Sequence, residues 1–253
     1  MNDPKPLVSI LLPIKNAEHT ITACLDSLLR QTYKNIEIIA IDDKSTDKSL
    51  KILRSLRRID KRIKVFANVK RYGLSMTLNR SLRQAKGQFI TIMDAHDYCA
   101  ARRITKQVRF LEENRQMVAV GAQCTFVNWL DKKVGQSSFP SQNRDIYSSP
   151  LHGISVQFET VLINKCKLPK DLLKFSPRSY PFIYSDLLMK VLPYGKFANL
   201  EDALYFHRKT PETYFSDLKN NVFSLLRLWL RSVSDYKYSP WSKSFFSPLI
   251  KFR

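Results

Sequence analysis

Two hydrophobic rhythms alternate through the first hundred residues. Leu7-Val8-Ser9-Ile10-Leu11-Leu12 is a short β-favouring run closed by Pro13, which predicts a strand buried on both faces. From Ala17 to Arg30 the spacing changes to helical, with Ile21, Cys24, Leu25, Leu28 and Leu29 on one stripe. Residues 35–41 read as a second strand that ends in Asp42-Asp43, and Thr46 is placed to cap a helix carrying Leu50, Ile52, Leu53 and Leu56. Residues 63–66 predict a third strand and 74–85 a third helix. Residues 87–93 predict a fourth strand that runs straight into Asp94-Ala95-His96-Asp97.

Strands alternating with helices at short intervals predict an α/β fold, parallel strands joined by helical crossovers. Ligands of such open sheets bind beyond the carboxyl ends of the strands, where both acidic clusters fall. Two acidic clusters at one sheet edge point to a cation-assisted phosphate site. From Cys124 to Phe182 the periodicity is poor, and loops with short strands are expected. A helix is expected over 186–192, and extended chain over 195–200 and 203–206 around a turn at Glu201-Asp202. Near the end, Leu218, Val222, Leu225, Leu226, Trp229, Leu230 and Val233 fall on one helical stripe. The following stretch, 236–253, mixes Tyr, Trp and Phe with Lys and Arg.

Charge changes this picture more than composition does. A hydrophobic fraction of 44% over 253 residues suits one substantial globular domain, but the net charge is +20. That surplus implies a polyanionic partner: nucleic acid, an anionic membrane surface or phosphate-bearing substrates. No apolar run reaches the length of a membrane span, and Met1 to Pro6 lacks the layout of a signal peptide, so a cytoplasmic location is expected. Cys24, Cys99, Cys124 and Cys166 are widely separated without a CxxC pair, which argues against a zinc site or a disulfide framework.

Several short motifs then recur in a familiar order. Pro13-Ile14-Lys15-Asn16, the run Asp42 to Asp47, Arg71-Tyr72-Gly73, the run Ala85 to Ile90 and Asp94-Ala95-His96-Asp97 resemble the P-x-Y-N, DDGSTD, N-x-G, A-x-G-x-[YF]-I and D-A-D-D motifs of family 2 glycosyltransferases. Arg30-Gln31-Thr32-Tyr33 and Arg103 to Gln107 add to the match, which covers about the first 125 residues. The resemblance implies a GT-A fold: a mixed, mostly parallel sheet flanked by helices. It also implies inverting transfer of a sugar from a nucleotide-sugar donor, of the UDP type, to a saccharide or lipid-linked acceptor. Pro13 and Asp43 would flank the base and ribose, Asp42 would support the loop, and Asn16, Arg71, Gly73 and Ala95 would complete the donor site. Asp94, His96 and Asp97 would hold a divalent cation bridging the diphosphate. A domain over 1–214 is expected, its nucleotide half 1–125 and its acceptor half 126–214, with a basic amphipathic extension over 215–253.

The chain departs from the family pattern twice. His96 stands where the third acidic residue is usual, and imidazole suits Mn²⁺ better than Mg²⁺. An Asp-x-His variant occurs in another GT-A group, the enzymes that start mucin-type O-glycans. The second departure concerns the E-D pair that supplies the general base ahead of the D/E-L-W-L-R helix. Here it is replaced by Ile183-Tyr184, and Asp186 is the nearest substitute. His152 and His207 read as packing residues. The two departures also motivate a reading from another class, a degenerate GT-A scaffold that binds an active transferase.

The basic, aromatic tail, with Trp241, Phe245, Phe246 and Phe252 among Lys237, Lys243, Lys251 and Arg253, suits peripheral contact with an anionic membrane. Single-stranded nucleic acid would suit the same composition, but no nucleic-acid-binding motif accompanies it.

Overall fold

The computed structural model of the chain describes residues 5–208, 216, 218–243 and 245–246. Its first part alternates β1 (Val8–Ile14), α1 (Ile21–Leu29), β2 (Ile36–Asp42), α2 (Ser49–Ile59), β3 (Ile63–Ala67), α3 (Leu74–Gln84) and β4 (Phe89–Ile92). Then come β5 (Tyr98–Cys99), α4 (Arg103–Glu113), β6 (Met117–Val127), β7 (Lys133–Gln136), α5 (Asn143–Ser148), β8 (Leu162–Asn164), α6 (Ile183–Val191), β9 (Lys196–His207) and α7 (Val222–Asp235).

The strands form one mixed sheet in the order β3-β2-β1-β4-β8-β6-β9-β5, with β7 on the side of β6. β1 pairs in parallel with both β2 and β4, and β2 with β3. The crossover after β1 thus runs to one side and the return to β4 to the other, which opens a crevice at their carboxyl ends. β8 joins β4 and β6 antiparallel, β6 and β9 run parallel, and β5 closes the edge antiparallel to β9.

Alternation along the strands divides the core in two, because successive side chains leave opposite faces. Val8, Ile10, Leu12 and Ile14 pack with Ile36, Ile38 and Ala40 against α1, α2 and α4. Leu11, Ile39 and Ile41 face the other way, with Leu78 of α3, Ile146 of α5 and the apolar side of α6. One polar pair interrupts this core: Ser9 Oγ donates to Glu37 Oε1 at 2.5 Å, while Lys86 N–H and Lys64 Nζ also serve Glu37. Burial pushes the Glu37 carboxyl up, but these donors outweigh it and hold it below the usual carboxylate range. Gly87 is required where β4 begins, since a Cβ there would lie 2.6 Å from the Ser9 backbone nitrogen.

Three local expectations change. Thr46 caps nothing: α2 starts at Ser49, and the Thr46 N–H donates to Asn16 Oδ1 at 2.9 Å instead. Glu201-Asp202 is not a turn but part of the continuous β9, where register shifts against β6 between Ala122 and Cys124 absorb the irregularity. α6 begins at Ile183, so Asp186 stands in its first turn and not at its start.

The C-terminal stripe divides between two faces. Leu218, Leu225 and Leu228 are buried with Tyr238 and Phe245 in the second core, and α7 packs on α6. Val222, Phe223, Leu226, Leu230 and Val233 are exposed. Lys251, Phe252 and Arg253 lie outside the described residues.

Candidate functional site

The loops after β1, β2, β3 and β4 meet at one sheet edge, and Asp43 ties the loop after β2 to the one after β3. Its Oδ1 accepts from Asn68 Nδ2 at 2.7 Å and from the Tyr72 N–H at 2.8 Å, and its Oδ2 from the Gly73 N–H at 2.8 Å. Burial pushes the Asp43 carboxyl up, but these bonds prevail and hold it below the usual range, so it is a fixed anion. Gly73 has φ 82°, a conformation that glycine adopts without strain, and this aims its N–H at Asp43 before α3 begins.

Asp42 and Asn16 shape the loop without reaching the ligand side. Asp42 is 1% exposed and its Oδ2 accepts from the Ser45 N–H at 3.1 Å. Asn16 bridges to the same loop through Ser45 Oγ and the Thr46 N–H. Its positive φ of 51° is one that asparagine tolerates.

Beside them lies a cleft of about 720 Å³, lined on the β1–β3 side by Pro13, Lys15, Asp43, Arg71 and Gly73. Asp94, Ala95 and His96 line it after β4, and His152, Glu159 and Tyr184 line it from the second half of the chain. The His96 N–H donates to Asp94 Oδ1 at 2.9 Å. Its ring Nδ1 lies 3.2 Å from Thr20 Oγ1, and Trp129 meets the ring edge-on at 6.3 Å. That bond to Nδ1 leaves Nε2 as the ring nitrogen for a ligand. Pro13, Asp43, Arg71, Gly73, Asp94, Ala95 and His96 are therefore gathered as the motifs suggest; Asn16, Asp42, Asp97 and Asp186 are not at the cleft wall.

Asp97 is turned inward. It is 2% exposed, and its oxygens accept from Tyr205 Oη at 2.9 Å, His207 Nδ1 at 2.6 Å and the Arg208 N–H at 2.9 Å. Burial opposes this pair, yet the contact holds the Asp97 carboxyl down and the His207 imidazole up, as in an ion pair. Both oxygens are engaged on the protein side, which sets Asp97 apart from the cation role its motif position suggests. Among the described residues, no three His, Cys, Asp or Glu side chains form a group able to hold a metal by themselves.

Asp186 is also occupied. It is fully buried, and its oxygens accept from Lys190 Nζ at 2.6 Å, from Tyr236 Oη at 2.8 Å and from Arg231 Nη2. Lys190 lies one turn along α6, whereas Arg231 and Tyr236 belong to the C-terminal segment. This carboxylate anchors α7 on α6.

Glu159 was not singled out in the sequence, whereas His152 was read as a packing residue and Tyr184 only as a replacement within the base motif. The sole hint of Glu159 is an acid inside the apolar stretch 156–163. It is 3% exposed, in a single 3-10 turn over Phe158–Thr160, and its Oε2 accepts from Gln157 Nε2 at 2.7 Å. His152 Nδ1 accepts the Phe158 N–H at 3.1 Å and lies 3.8 Å from Glu159 Oε2. Tyr184 stacks on Phe158 at 4.8 Å and meets His152 at 4.9 Å. Burial first, then the charges of Glu159, Asp94 and Asp97, push its phenol well up, so it stays protonated. All four cysteines are free, and burial raises the thiols of Cys24, Cys99 and Cys124, which leaves them poor nucleophiles.

A parallel β3-β2-β1-β4 half with an antiparallel continuation and a polar cleft at its switch point defines a nucleotide-sugar transferase fold of the GT-A type. The profile of Glycosyl transferase family 2 matches residues 9–166, and the chain belongs to that family. An uncharacterized glycosyltransferase of Haemophilus influenzae is 34% identical over 161 residues, 63% of each chain. The UDP-Glc:alpha-D-GlcNAc-diphosphoundecaprenol beta-1,3-glucosyltransferase WfgD of Escherichia coli is 31% identical over 180 residues, 71% of this chain and 66% of its own. The chain thus matches just under two thirds of each relative's length. Among solved structures, the mannosyltransferase PcManGT of Pyrobaculum calidifontis, in complex with GDP-Man and Mn2+, superposes with a TM-score of 0.69. That match is 19% identical and covers 98% of this chain and 69% of the other.

Proposed function

We propose that this protein transfers a hexose from a uridine-diphosphate sugar to a saccharide or lipid-linked acceptor, with inversion, in the assembly of a surface glycan. The observation that carries this reading is the meeting of Pro13, Asp43, Asp94 and His96 in one cleft, at the carboxyl ends of β1, β2 and β4. Asp43, held as an anion by three backbone and side-chain donors, is suited to accept from a nucleobase or ribose. Lys15 and Arg71 on the wall suit a diphosphate. The printed activity of the WfgD relative, glucose transfer from a UDP donor to a sugar on a lipid diphosphate, supports the same donor and acceptor class.

Asp94 and His96 would hold the divalent cation, one oxygen and one nitrogen donor, with the sugar diphosphate and water as the remaining ligands. Such a mixed set suits Mn²⁺ better than Mg²⁺. Bound there, the ion would neutralise charge on the departing diphosphate. The chain's own groups would orient the donor through Asp43, position the diphosphate by Lys15 and Arg71, and keep Asp94 and His96 in register through their mutual hydrogen bond.

The membrane reading rests on the exposed face of α7. Phe223 is 86% exposed and Leu230 54%, beside Val222, Leu226 and Val233, and Trp241 is exposed further on. Lys219, Arg227, Lys237 and Lys243 are exposed on the same segment. Apolar and aromatic groups among cations on a strongly basic protein fit the interface of an anionic bilayer, which is where a lipid-linked acceptor resides. No helix among the described residues is long and apolar enough to cross a membrane.

One observation favours the scaffold alternative: Ile183-Tyr184 occupies the usual base position and Asp186 is sequestered. Calorimetric titration with UDP, UDP-glucose and GDP-mannose, with Mn²⁺, Mg²⁺ or neither, separates the two. Metal-dependent binding of the uridine compounds, lost in Asp94→Ala and weakened in His96→Ala, is the expected result. Absence of nucleotide binding under every condition would leave the scaffold reading.

A further inference from the structure

With Asp186 committed to α7, the acceptor hydroxyl lacks its expected proton acceptor, and the cleft contains another carboxylate. We propose that Glu159 is the general base of the transfer, with His152 as its positioning residue; this rests on the transferase reading above.

Glu159 lines the same cleft as Asp94 and His96 but belongs to the opposite half of the chain, the side from which an acceptor would approach a donor held by Asp43. Its backbone is held unusually firmly. Arg103, a fully buried guanidinium, donates from Nη2 to the Glu159 carbonyl at 2.5 Å and to Thr91 Oγ1 at 2.7 Å. Gln107 Nε2 donates to the Thr160 carbonyl at 2.6 Å, and Thr160 Oγ1 to the Gln157 carbonyl at 2.7 Å. His152 accepts the Phe158 N–H and so fixes the Gln157–Phe158 peptide, one residue ahead of Glu159. Such support, from α4 and from the loop that carries His152, is what a group needing fixed geometry toward a substrate requires. Tyr184 takes the place of the usual acid in the motif, and its stacking on Phe158 builds one wall of the turn that presents Glu159.

In the step itself, the acceptor oxygen attacks the anomeric carbon in line with the bond to the diphosphate. The new carbon–oxygen bond forms as the old one breaks, and its electron pair leaves with the β-phosphate. The hydroxyl proton passes to a Glu159 carboxylate oxygen and then to solvent, so charge and atoms balance.

The test uses the full chain with Mn²⁺ and UDP-glucose, measuring donor affinity by calorimetry and UDP release with water or a synthetic α-GlcNAc-diphosphate lipid as acceptor. Glu159→Gln keeps the shape and hydrogen bonding of the turn but removes the base. It is expected to bind donor within about threefold of wild type and to lose about 100-fold or more in turnover, the usual scale for a lost general base. Glu159→Asp is expected to recover part of that loss, and His152→Ala to lower kcat more than donor affinity. Turnover of Glu159→Gln within about threefold of wild type overturns the assignment alone, as does wild-type donor binding with no UDP release on either acceptor. A wild-type chain that binds no nucleotide sugar overturns the transferase reading and the assignment together.

Discussion

Replacing Asp186 by asparagine separates an anchor from a catalyst, because the two roles predict opposite outcomes. The carboxylate is fully buried, and its cationic partners Lys190 and Arg231 retain 14% and 27% side-chain exposure. Asn keeps an acceptor for Tyr236 but turns an amide donor toward one cation and leaves both without a counter-charge. Removing one partner of a buried ion pair costs about 3–5 kcal/mol. The residual exposure of Lys190 and Arg231 lets water recover part of this, which places the cost near the lower end, about 3 kcal/mol. For a domain of this size that corresponds to a fall in Tm of about 6–12 °C. Urea unfolding followed by circular dichroism gives the free energy, and UDP release measured well below the lowered Tm gives the activity. We expect reduced stability with turnover within about threefold of wild type. An Asp186→Asn protein as stable as wild type but depleted in turnover by about 100-fold would refute the anchor and restore this residue as the base.

Two further outcomes follow from the structure. Glu37 titrates below its unfolded value, so its stabilisation is complete above about pH 4.3 and disappears as pH falls through the lower folded value. Acid unfolding followed from pH 6 to 2.5 should therefore be flatter in Glu37→Gln, with a lower starting stability; parallel curves would contradict it. Phe223→Ser combined with Leu230→Ser removes apolar surface that faces mostly outward, 86% and 54% exposed, and should change Tm little. It should weaken sedimentation with phosphatidylglycerol vesicles at low salt about tenfold, the equivalent of about 1.5 kcal/mol of apolar burial. Equal sedimentation of both proteins would remove α7 from the membrane face.

Much of the first 125 residues was legible in the sequence for a local reason. A buried parallel strand needs a run such as Leu7 to Leu12, a covering helix needs the spacing of Ile21, Cys24 and Leu28, and both signals lie within a few residues of chain. The acidic clusters are equally local, since they follow directly from strands β2 and β4. Thr46 was misjudged because its hydroxyl and N–H met Asn16, thirty positions away, before they could meet a helix end. The C-terminal stripe gave the helix but not its division: Leu225 and Leu226 stand about 100° apart within one broad apolar stripe, and only the position of α6 decides which one is covered.

The chemistry of the second half was out of reach in the same way. Asp97 and Asp186 have the residue type of a ligand and a base, but His207, Arg231 and Tyr236, remote in the chain, had already claimed their oxygens. Glu159 carries no motif at all and enters the cleft because Arg103 and Gln107 of α4 hold its turn there. Sequence alone determined the α/β alternation, the family and the acidic clusters at the sheet edge, all properties of short contiguous segments. Tertiary structure decided which carboxylates face the cleft and which are neutralised inside, because a charge's partner depends on contacts across the fold and not on its neighbours along the chain.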